Sequence, residues 1–253
     1  MQTYTTAAVA RRVGVHPNTV RLYETIGWIT SPARRPNGYR VFTEMHILQL
    51  RLVQAALRVP VLQNGLRKLA IATLQHAAAM DWTGALACTN TYRARIQGEL
   101  RNAETAIATA RNALAQAPPP EAGTLRRAQA AQVLELSIDR LRNWEMNGLL
   151  SVKRRENGYR IYTPEDMQRL RLIRALRCAN YSLAAILRML HAYDQDPGVD
   201  LRRALDAPAP EEGMLYVCDQ LLTSLRQAQQ QAEQMLLLVH KLHDLFPKPN
   251  PPL

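Results

Sequence analysis

The sequence lacks most of what marks a secreted, membrane-bound or disulfide-bonded protein. Its 253 residues include three scattered cysteines and no Cys-x-x-Cys pair, so neither a disulfide framework nor a zinc knuckle is expected. No apolar run approaches the roughly 18 residues that a membrane span needs. The N-terminal stretch MQTYTTAAVARR lacks the apolar core of a signal peptide. We therefore expect a cytoplasmic protein without a membrane partner.

Motifs of catalysis and nucleotide binding are also missing. The chain contains no Gly-x-Ser-x-Gly, no His-Glu-x-x-His, no Walker loop and no Gly-x-Gly-x-x-Gly. Each of these patterns places a nucleophile, a metal or a phosphate at a defined point of a fold. An enzyme is therefore not expected, and no cofactor is implied.

Positive charge is plentiful and is concentrated in two segments. The chain has 32 Lys and Arg against 21 Asp and Glu, a formal net charge of +11. Residues 1–60 and residues 124–180 each carry +6, whereas the other 136 residues together carry −1. A generally arginine-rich composition would spread the charge evenly. Two compact basic segments instead indicate an anionic polymer as the partner.

The two basic segments repeat one another. TVRLYETIGWI at 19–29 aligns with RLRNWEMNGLL at 140–150, and RRPNGYRVFTEMHILQLRLVQAAL at 34–57 aligns with RRENGYRIYTPEDMQRLRLIRALR at 154–177. The offset changes from 121 to 120 between these two blocks, where a loop would absorb the difference. The repeat predicts two domains of the same fold.

A long helix is predicted after each basic segment, over 84–116 and 214–246, because apolar positions step alternately by three and four residues, as in a coiled-coil seam. The predicted seam positions are Ile96, Leu100, Ala103, Ile107, Ala110 and Leu114 in the first helix, and Leu215, Cys218, Leu222, Leu225, Gln229, Ala232, Leu236, Val239, His243 and Phe246 in the second. Proline-rich stretches at 117–123 and 247–253 end the two helices.

Within each basic segment the pattern predicts a helix-turn-helix. In the first segment, Thr5 or Thr6 can cap a helix over 6–13, Gly14 ends it, and Pro17 begins a second helix over 17–26. Ser137 is the matching cap in the second segment. Third helices are predicted over 43–57 and 163–177, and fourth helices over 61–79 and 182–192.

A β-hairpin is predicted between the second and third helices of each segment. Asn37-Gly38 lies between the β-prone stretches 28–29 and 39–42, and the second segment repeats this between 149–152 and 159–162. Asn-Gly favours a hairpin turn in which both central residues have positive φ. The tips carry Arg34, Arg35 and Arg40, or Lys153, Arg154, Arg155 and Arg160, a wing suited to phosphates.

These blocks together resemble the MerR family of bacterial transcription regulators, over about 70 residues per half and both long helices. The resemblance implies a mainly α fold of two winged helix-turn-helix domains, each followed by a long helix, with the two helices pairing antiparallel. The predicted boundaries are 1–80 and 124–192 for the DNA-binding domains, 84–116 and 214–246 for the long helices, 117–123 for the linker, 193–213 for a connector and 247–253 for a tail.

The resemblance also implies which residues contact double-stranded DNA. The residues expected to face DNA lie on the second helix of each segment: Thr19, Arg21 and Tyr23 in the first segment, and Arg140, Arg142 and Trp144 in the second. Core packing is the alternative for Tyr23 and Trp144. Asn143 stands where the family usually has Tyr and could also contact DNA, whereas Leu22 at that position is expected in the core. The wings would add Arg34, Arg35, Tyr39, Arg40, Lys153, Arg154, Arg155, Tyr159 and Arg160.

Family members form homodimers, and the repeat suggests such a dimer within one chain. The seven residues between the first long helix and the second head reach at most about 25 Å. We expect helices 84–116 and 214–246 to pair within the chain, so that two unequal heads read two half-sites. A homodimer with four heads is the alternative. The family mechanism implies a nucleoid-associated regulator that distorts promoter DNA and acts on RNA polymerase.

Two other functions remain open. A metal- or redox-responsive sensor of the same family could use Cys88 with His240 and His243, which antiparallel helices would bring close, although a surface His240 and a packed His243 are the simpler interpretation. Cys178 is expected to be buried. An excisionase-like architectural DNA binder shares the winged head and does not act on RNA polymerase.

Overall fold

In a computed structural model the chain is mainly helical, as predicted. The structure describes residues 2–59, 65–116, 123–153, 158–207 and 220–247. The backbone divides into two units: unit 1 combines residues 1–98 with 225–253, and unit 2 comprises residues 99–224. Two long helices belong to both, because each begins in one unit and ends in the other.

Unit 1 contains a helix-turn-helix, a short hairpin and two further helices. In chain order its elements are α1 (Thr6–Val13), α2 (Pro17–Thr25), β1 (Ala33–Arg34), β2 (Arg40–Val41), α3 (Glu44–Leu57) and α4 (Leu66–Ala78), with the first half of α5 (Trp82–Ala115) and most of α11 (Leu221–Leu245). The helices predicted over 6–13, 17–26 and 43–57 are confirmed to within a residue at each end. The predicted fourth helix begins at residues outside the described part of the chain.

Local capping explains where α1 and α2 begin and end. The Thr5 side chain accepts a hydrogen bond from the Ala8 N–H, and Gly14 ends α1 in the left-handed region with φ 71°. The His16 ring caps α2 by accepting from the Asn18 N–H, and Pro17 occupies the first turn. These caps hold the two helices on either side of a tight turn.

Unit 2 repeats the helices of this arrangement but not its hairpin strands. Leu125 pairs with Tyr162 and Arg126 with Ile161, so the first strand is not at 149–152 as predicted but precedes the first helix of the unit. Its elements are β3 (Leu125–Arg126), α6 (Arg127–Val133), α7 (Ile138–Met146), β4 (Ile161–Tyr162), α8 (Pro164–Cys178), α9 (Leu183–Gln195) and α10 (Leu201–Leu205), with the second half of α5 and the start of α11. The Ser137 hydroxyl caps α7 as predicted, accepting from the Arg140 N–H. The turn before α7 differs from that of unit 1, because Glu135 instead of glycine takes the positive φ, at 50°.

Most of the predicted seam positions on the long helices are buried, whereas Leu100, Leu114, Gln229 and Phe246 are only partly buried and His243 is exposed. Ile96, Ala103, Ile107 and Ala110 on α5 are buried, as are Leu222, Leu225, Ala232, Leu236 and Val239 on α11. The assignment of His243 to the seam is wrong: its side chain is 53 % exposed, and the neighbouring Leu242 is fully buried instead. Leu215 and Cys218 lie outside the described residues.

The hairpin of unit 1 forms between different residues from those predicted. Ala33 pairs with Val41 and Arg34 with Arg40, so the first strand is not at 28–29. The turn spans Arg35 to Gly38, whose N–H donates to the Arg35 carbonyl. Only its Gly38 has positive φ, because Pro36 fixes φ near −65° at the first central position and excludes a turn with two positive φ values.

Each unit has its own apolar core. In unit 1, Val9, Val20, Phe42, Ile47 and Leu52 are fully buried. In unit 2, residues of α6, α7, α8 and α9 pack with Ala103, Ile107 and Leu222 of the long helices in one cluster. Among the described residues, no helix is both long enough and apolar enough to cross a membrane.

Candidate nucleic-acid interface

The second helix of unit 1 presents one continuous face to solvent. Asn18, Arg21, Leu22, Thr25 and Ile26 are all exposed, at the three- and four-residue spacing that places them on one side of a helix. Arg21 donates from Nη1 to the Asn18 side-chain oxygen at 3.0 Å, which orients its guanidinium along this face. The face combines a cation, an amide and two apolar side chains. The expectation that Leu22 packs in the core is wrong, because 53 % of it is exposed.

Thr19 and Tyr23 lie at the edge of this face. Both are partly buried, and the Tyr23 ring stacks on Trp28 with ring centroids 5.5 Å apart. The stacking fixes the Tyr23 ring against the first residues after α2. Of the DNA contacts expected on α2, Arg21 is therefore the most accessible, and Thr19 and Tyr23 can offer only part of their surface.

The corresponding face of α7 is more polar and carries more cations. Arg140, Arg142 and Asn143 are exposed, together with Met146 and Asn147. Neither Arg140 nor Arg142 forms an ion pair with another residue that the structure describes. The expectation that Trp144 contacts DNA is corrected: it belongs to the buried core of unit 2 and is only 3 % exposed.

The wing of unit 1 exposes two of its three arginines. Arg34, Arg35 and Tyr39 are exposed, and Tyr39 has 72 % of its surface in solvent. Arg40 differs, because its Nε lies 2.5 Å from a carboxylate oxygen of Glu24 on α2 and its side chain is only 25 % exposed. Arg34 approaches the other Glu24 oxygen at 3.9 Å.

The wing of unit 2 shows the same link to its helix. Arg160 Nε lies 2.9 Å from Glu145 on α7, whose side chain is only 7 % exposed. Lys153 and Tyr159 are exposed. Arg154 and Arg155, which the sequence assigned to DNA, lie outside the described residues.

Glu145 is the centre of a larger cluster than Glu24. Arg127 Nη2 donates to the same carboxylate at 2.7 Å, and the Tyr162 hydroxyl donates to its other oxygen. Burial raises the pKa of Tyr162 to about 12, and its hydrogen bond to Glu145 adds to the shift. The cluster joins α6, α7 and β4, so it holds the second helix and the base of the wing together.

Sequence reasoning missed both glutamates. They occupy the same position in the two repeats, residues 24 and 145, and that repetition was the available signal. A glutamate on a helix that binds an anionic partner is unfavourable by charge alone. The role of the two glutamates becomes clear only from the structure, where each lies next to a wing arginine. Arg40 and Arg160 accordingly have a carboxylate partner within the protein in addition to any phosphate.

The cysteines and histidines give a different result from the one considered for a sensor. Cys88 is partly buried, whereas Cys178 is exposed. The expectation that Cys178 is buried is therefore wrong: it is the last residue of α8, and its neighbour Arg177 is exposed as well. His240 and His243 are exposed on α11. Over the described part of the chain, no three His, Cys, Asp or Glu side chains lie close enough together to hold a metal ion.

Comparison with known proteins gives matches to both helix-turn-helix regions. Residues 125–193 match the model described as MerR HTH family regulatory protein, and residues 5–42 match MerR family regulatory protein. The HTH-type transcriptional regulator CueR of Salmonella typhi is 39% identical over 51 residues, which are 20% of this chain and 37% of the relative. An uncharacterized HTH-type transcriptional regulator of Synechocystis is 38% identical over 52 residues, 21% of this chain and 38% of that protein.

The matched segment thus covers little more than a third of these curated relatives. No solved structure matches the chain significantly.

Proposed function

Because the chain carries two tandem helix-turn-helix domains of the MerR family, we propose that it is a sequence-specific double-stranded DNA-binding transcription regulator that reads two unequal half-sites. The observation that carries the proposal is the exposed face of α2 and of α7, each beside an arginine-bearing wing. A helix-turn-helix places such a face in the major groove, and the wing then lies along the flanking backbone.

Charge supports DNA as the partner. The two segments that contain these faces each carry +6, and Arg35, Arg140 and Arg142 are exposed with no carboxylate partner among the described residues. Unpaired arginines can bind phosphate or lie bidentate on guanine. Their number and placement fit a polyanion better than a small acidic ligand.

The long helices support a dimer-like molecule within one chain. In unit 1, Trp82 at the start of α5 donates from Nε1 to the Phe246 carbonyl just after α11, at 2.9 Å. In unit 2, Leu222 at the start of α11 is buried in the same core as Ala103 and Ile107 of the second half of α5. In each unit the beginning of one long helix thus lies with the later part of the other, as antiparallel pairing requires. We propose that one chain thereby supplies both half-site readers.

The tests of DNA binding use the full chain. Duplexes selected from a random pool should contain two dissimilar half-sites one or more helical turns apart. Arg21→Ala should weaken binding through one half-site and Arg142→Ala through the other, each by about fivefold to a hundredfold, the range for loss of a bidentate base contact. Arg111→Ala, at an exposed site on α5, is the matched control and should bind as the parent does. No selected duplex, or equal effects at both half-sites, would contradict the proposal.

The oligomeric state is tested separately by light scattering of the free protein. A single-chain arrangement gives 28.5 kDa. A mass of twice that value would replace it with a homodimer carrying four heads.

Promoter distortion and contact with RNA polymerase are the finer part of the proposal, and they rest on the family. DNA distortion by a bound protein can be repaid by the contacts that the bend permits. On bacterial promoter DNA, we expect the protein to protect the region between the −35 and −10 elements in a footprinting experiment. A footprint at recombination ends would favour an architectural DNA binder instead.

A further inference from the structure

The two second helices differ in what they expose at equivalent positions. On α2, Leu22 is 53 % and Ile26 41 % exposed, and the two side chains are four residues apart on one face. On α7 the equivalent positions hold Asn143 and Asn147, both exposed. Two large apolar side chains that are adjacent in solvent form a small apolar patch, and a partner that covers it would be apolar at that point.

Charge near Leu22 and Ile26 restricts what that partner can be. Arg21 is exposed beside them, and the wing of the same unit exposes Arg34 and Arg35. A second protein helix would have to bring apolar side chains together with acids. The DNA major groove offers both requirements at once, since thymine places a C5-methyl group on a groove wall flanked by phosphates.

The two asparagines of α7 have different roles in the structure. The Asn147 amide donates to the Asn143 backbone carbonyl at 2.7 Å and so caps the end of α7. The Asn143 side chain makes no hydrogen bond to any residue that the structure describes, and Arg140 and Arg177 lie around the same surface depression. An unpaired amide beside cations can donate to adenine N7 and accept from adenine N6.

We propose that the two heads read A·T pairs by different chemistry: Leu22 and Ile26 of α2 contact thymine methyl groups, and Asn143 of α7 makes a bidentate contact with adenine. This inference rests on the proposed function and specifies the chemistry of each half-site. It also explains how a repeated fold reads dissimilar half-sites, because the two copies carry different side chains at equivalent positions, Leu22 and Ile26 against Asn143 and Asn147.

Base analogues test the proposal. The probe is the duplex that the full-length chain selects from a random pool, synthesised with deoxyuridine for thymidine, or with 7-deaza-deoxyadenosine for deoxyadenosine, in one half-site at a time. Removal of the methyl groups should lower affinity about fourfold per contacted methyl in the α2 half-site, the value for one buried methylene. Loss of adenine N7 should lower affinity about tenfold in the α7 half-site.

Variants assign each half-site to its helix. In Leu22→Asn the affinity penalty for deoxyuridine should shrink about fourfold, to that of the methyl group contacted by Ile26, and a penalty for the 7-deaza base should appear in the same half-site. Asn143→Leu should do the reverse in the other. Leu237→Asn replaces a leucine that is also exposed, 66 % accessible on α11 against 53 % for Leu22, and should change neither penalty.

The outcomes separate this inference from the proposed function. The inference is overturned, and DNA binding left intact, if neither base analogue changes the affinity of the selected duplex. The same holds if the penalties for the analogues are unchanged in Leu22→Asn and Asn143→Leu. Failure to select any duplex overturns both.

Discussion

At the scale of single residues, the buried His46 makes unit 1 sensitive to acid. His46 is 4 % exposed, and its Nδ1 accepts from the Thr43 N–H at the start of α3. Burial lowers its pKa from 6.5 to about 4, opposed only in part by Glu24 and the Thr30 backbone. The folded state therefore binds the proton more weakly than the unfolded state, so this contribution to stability is complete above pH 6.5 and is lost as the pH falls to about 4.

The free energy of unfolding of unit 1 should accordingly fall by up to about 3 kcal/mol between those two pH values. In His46→Gln, whose side chain can still accept a hydrogen bond from the Thr43 N–H, it should fall much less. Hydrogen exchange followed over that pH range measures unit 1 and unit 2 separately. A variant with the parent's pH dependence would show that another group is responsible.

The glutamate on each second helix is the other residue with a large expected effect. Glu145 receives Arg160, Arg127 and Tyr162, whereas Glu24 has one close partner, Arg40, and a distant one in Arg34. Removing a mostly buried carboxylate leaves its cations without compensation. Glu145→Gln should therefore destabilise unit 2 by about 2 kcal/mol, discounted for the partial exposure of the arginines, and Glu24→Gln should destabilise unit 1 by less.

Denaturant titration with hydrogen exchange at single residues distinguishes the two variants. Equal losses in the two units would mean that Arg127 and Tyr162 contribute nothing beyond the wing arginine.

At the scale of elements, the helix-turn-helix is built with different turn residues in the two units. Gly14 and Glu135 occupy the same place, with φ of 71° and 50°. A side chain at positive φ costs about 1 kcal/mol, which glycine avoids. The ion pair of Glu135 with Arg174 offsets little of this conformational cost, because the glutamate side chain is 76 % exposed to solvent.

Glu135→Gly should thus stabilise unit 2 by about 0.5 to 1 kcal/mol, and Gly14→Ala should destabilise unit 1 by about 1 kcal/mol. Apart from Gly14 and its chain neighbours, no atom of the described residues lies within 4 Å of a Cβ built there, so a loss of stability reports backbone strain and not a clash. Thermal unfolding of each variant beside the parent measures both. A neutral Gly14→Ala would remove the basis of the comparison.

Helices were predictable from the sequence to a degree that the wings were not. Caps such as Thr5, Ser137 and Thr163 act within one turn, so their residues alone place the start of a helix. The turn preference of Pro36 conflicts with that of Asn37-Gly38 in the hairpin. Pro36 determines the turn type because its ring fixes φ near −65°. The pairing of Glu24 with Arg40 joins residues 16 apart in sequence, and no local pattern reports such a contact.

At the scale of the whole molecule, the repeat was the strongest part of the sequence prediction. The copies at 19–57 and 140–177 extend from the second helix through the third helix of the two units, and the alternating steps in α5 correspond to a largely buried seam. Periodicity defines which face of a helix is apolar but not which residues cover it. The exposure of His243 and the burial of Leu242 therefore needed the structure.

The charge distribution makes a prediction for the whole molecule bound to DNA. Each contacted phosphate contributes about 0.9 to the slope of log K against log salt, so two heads with similar charge should contribute similar parts of the slope. Both basic segments carry +6. On a duplex truncated to remove either half-site, the slope should fall to roughly half of its value on the full site. Truncation is required because a scrambled half-site would keep its phosphates.

Fluorescence anisotropy over a series of salt concentrations, with the full and both truncated duplexes, gives the three slopes. A slope that one truncation leaves unchanged would mean that the corresponding head does not contact DNA, and the molecule would then have a single reader despite its repeat. Arg34→Ala and Arg40→Ala, compared on the full duplex, refine the result: the exposed Arg34 should account for nearly one phosphate, and Arg40, held by Glu24, for much less.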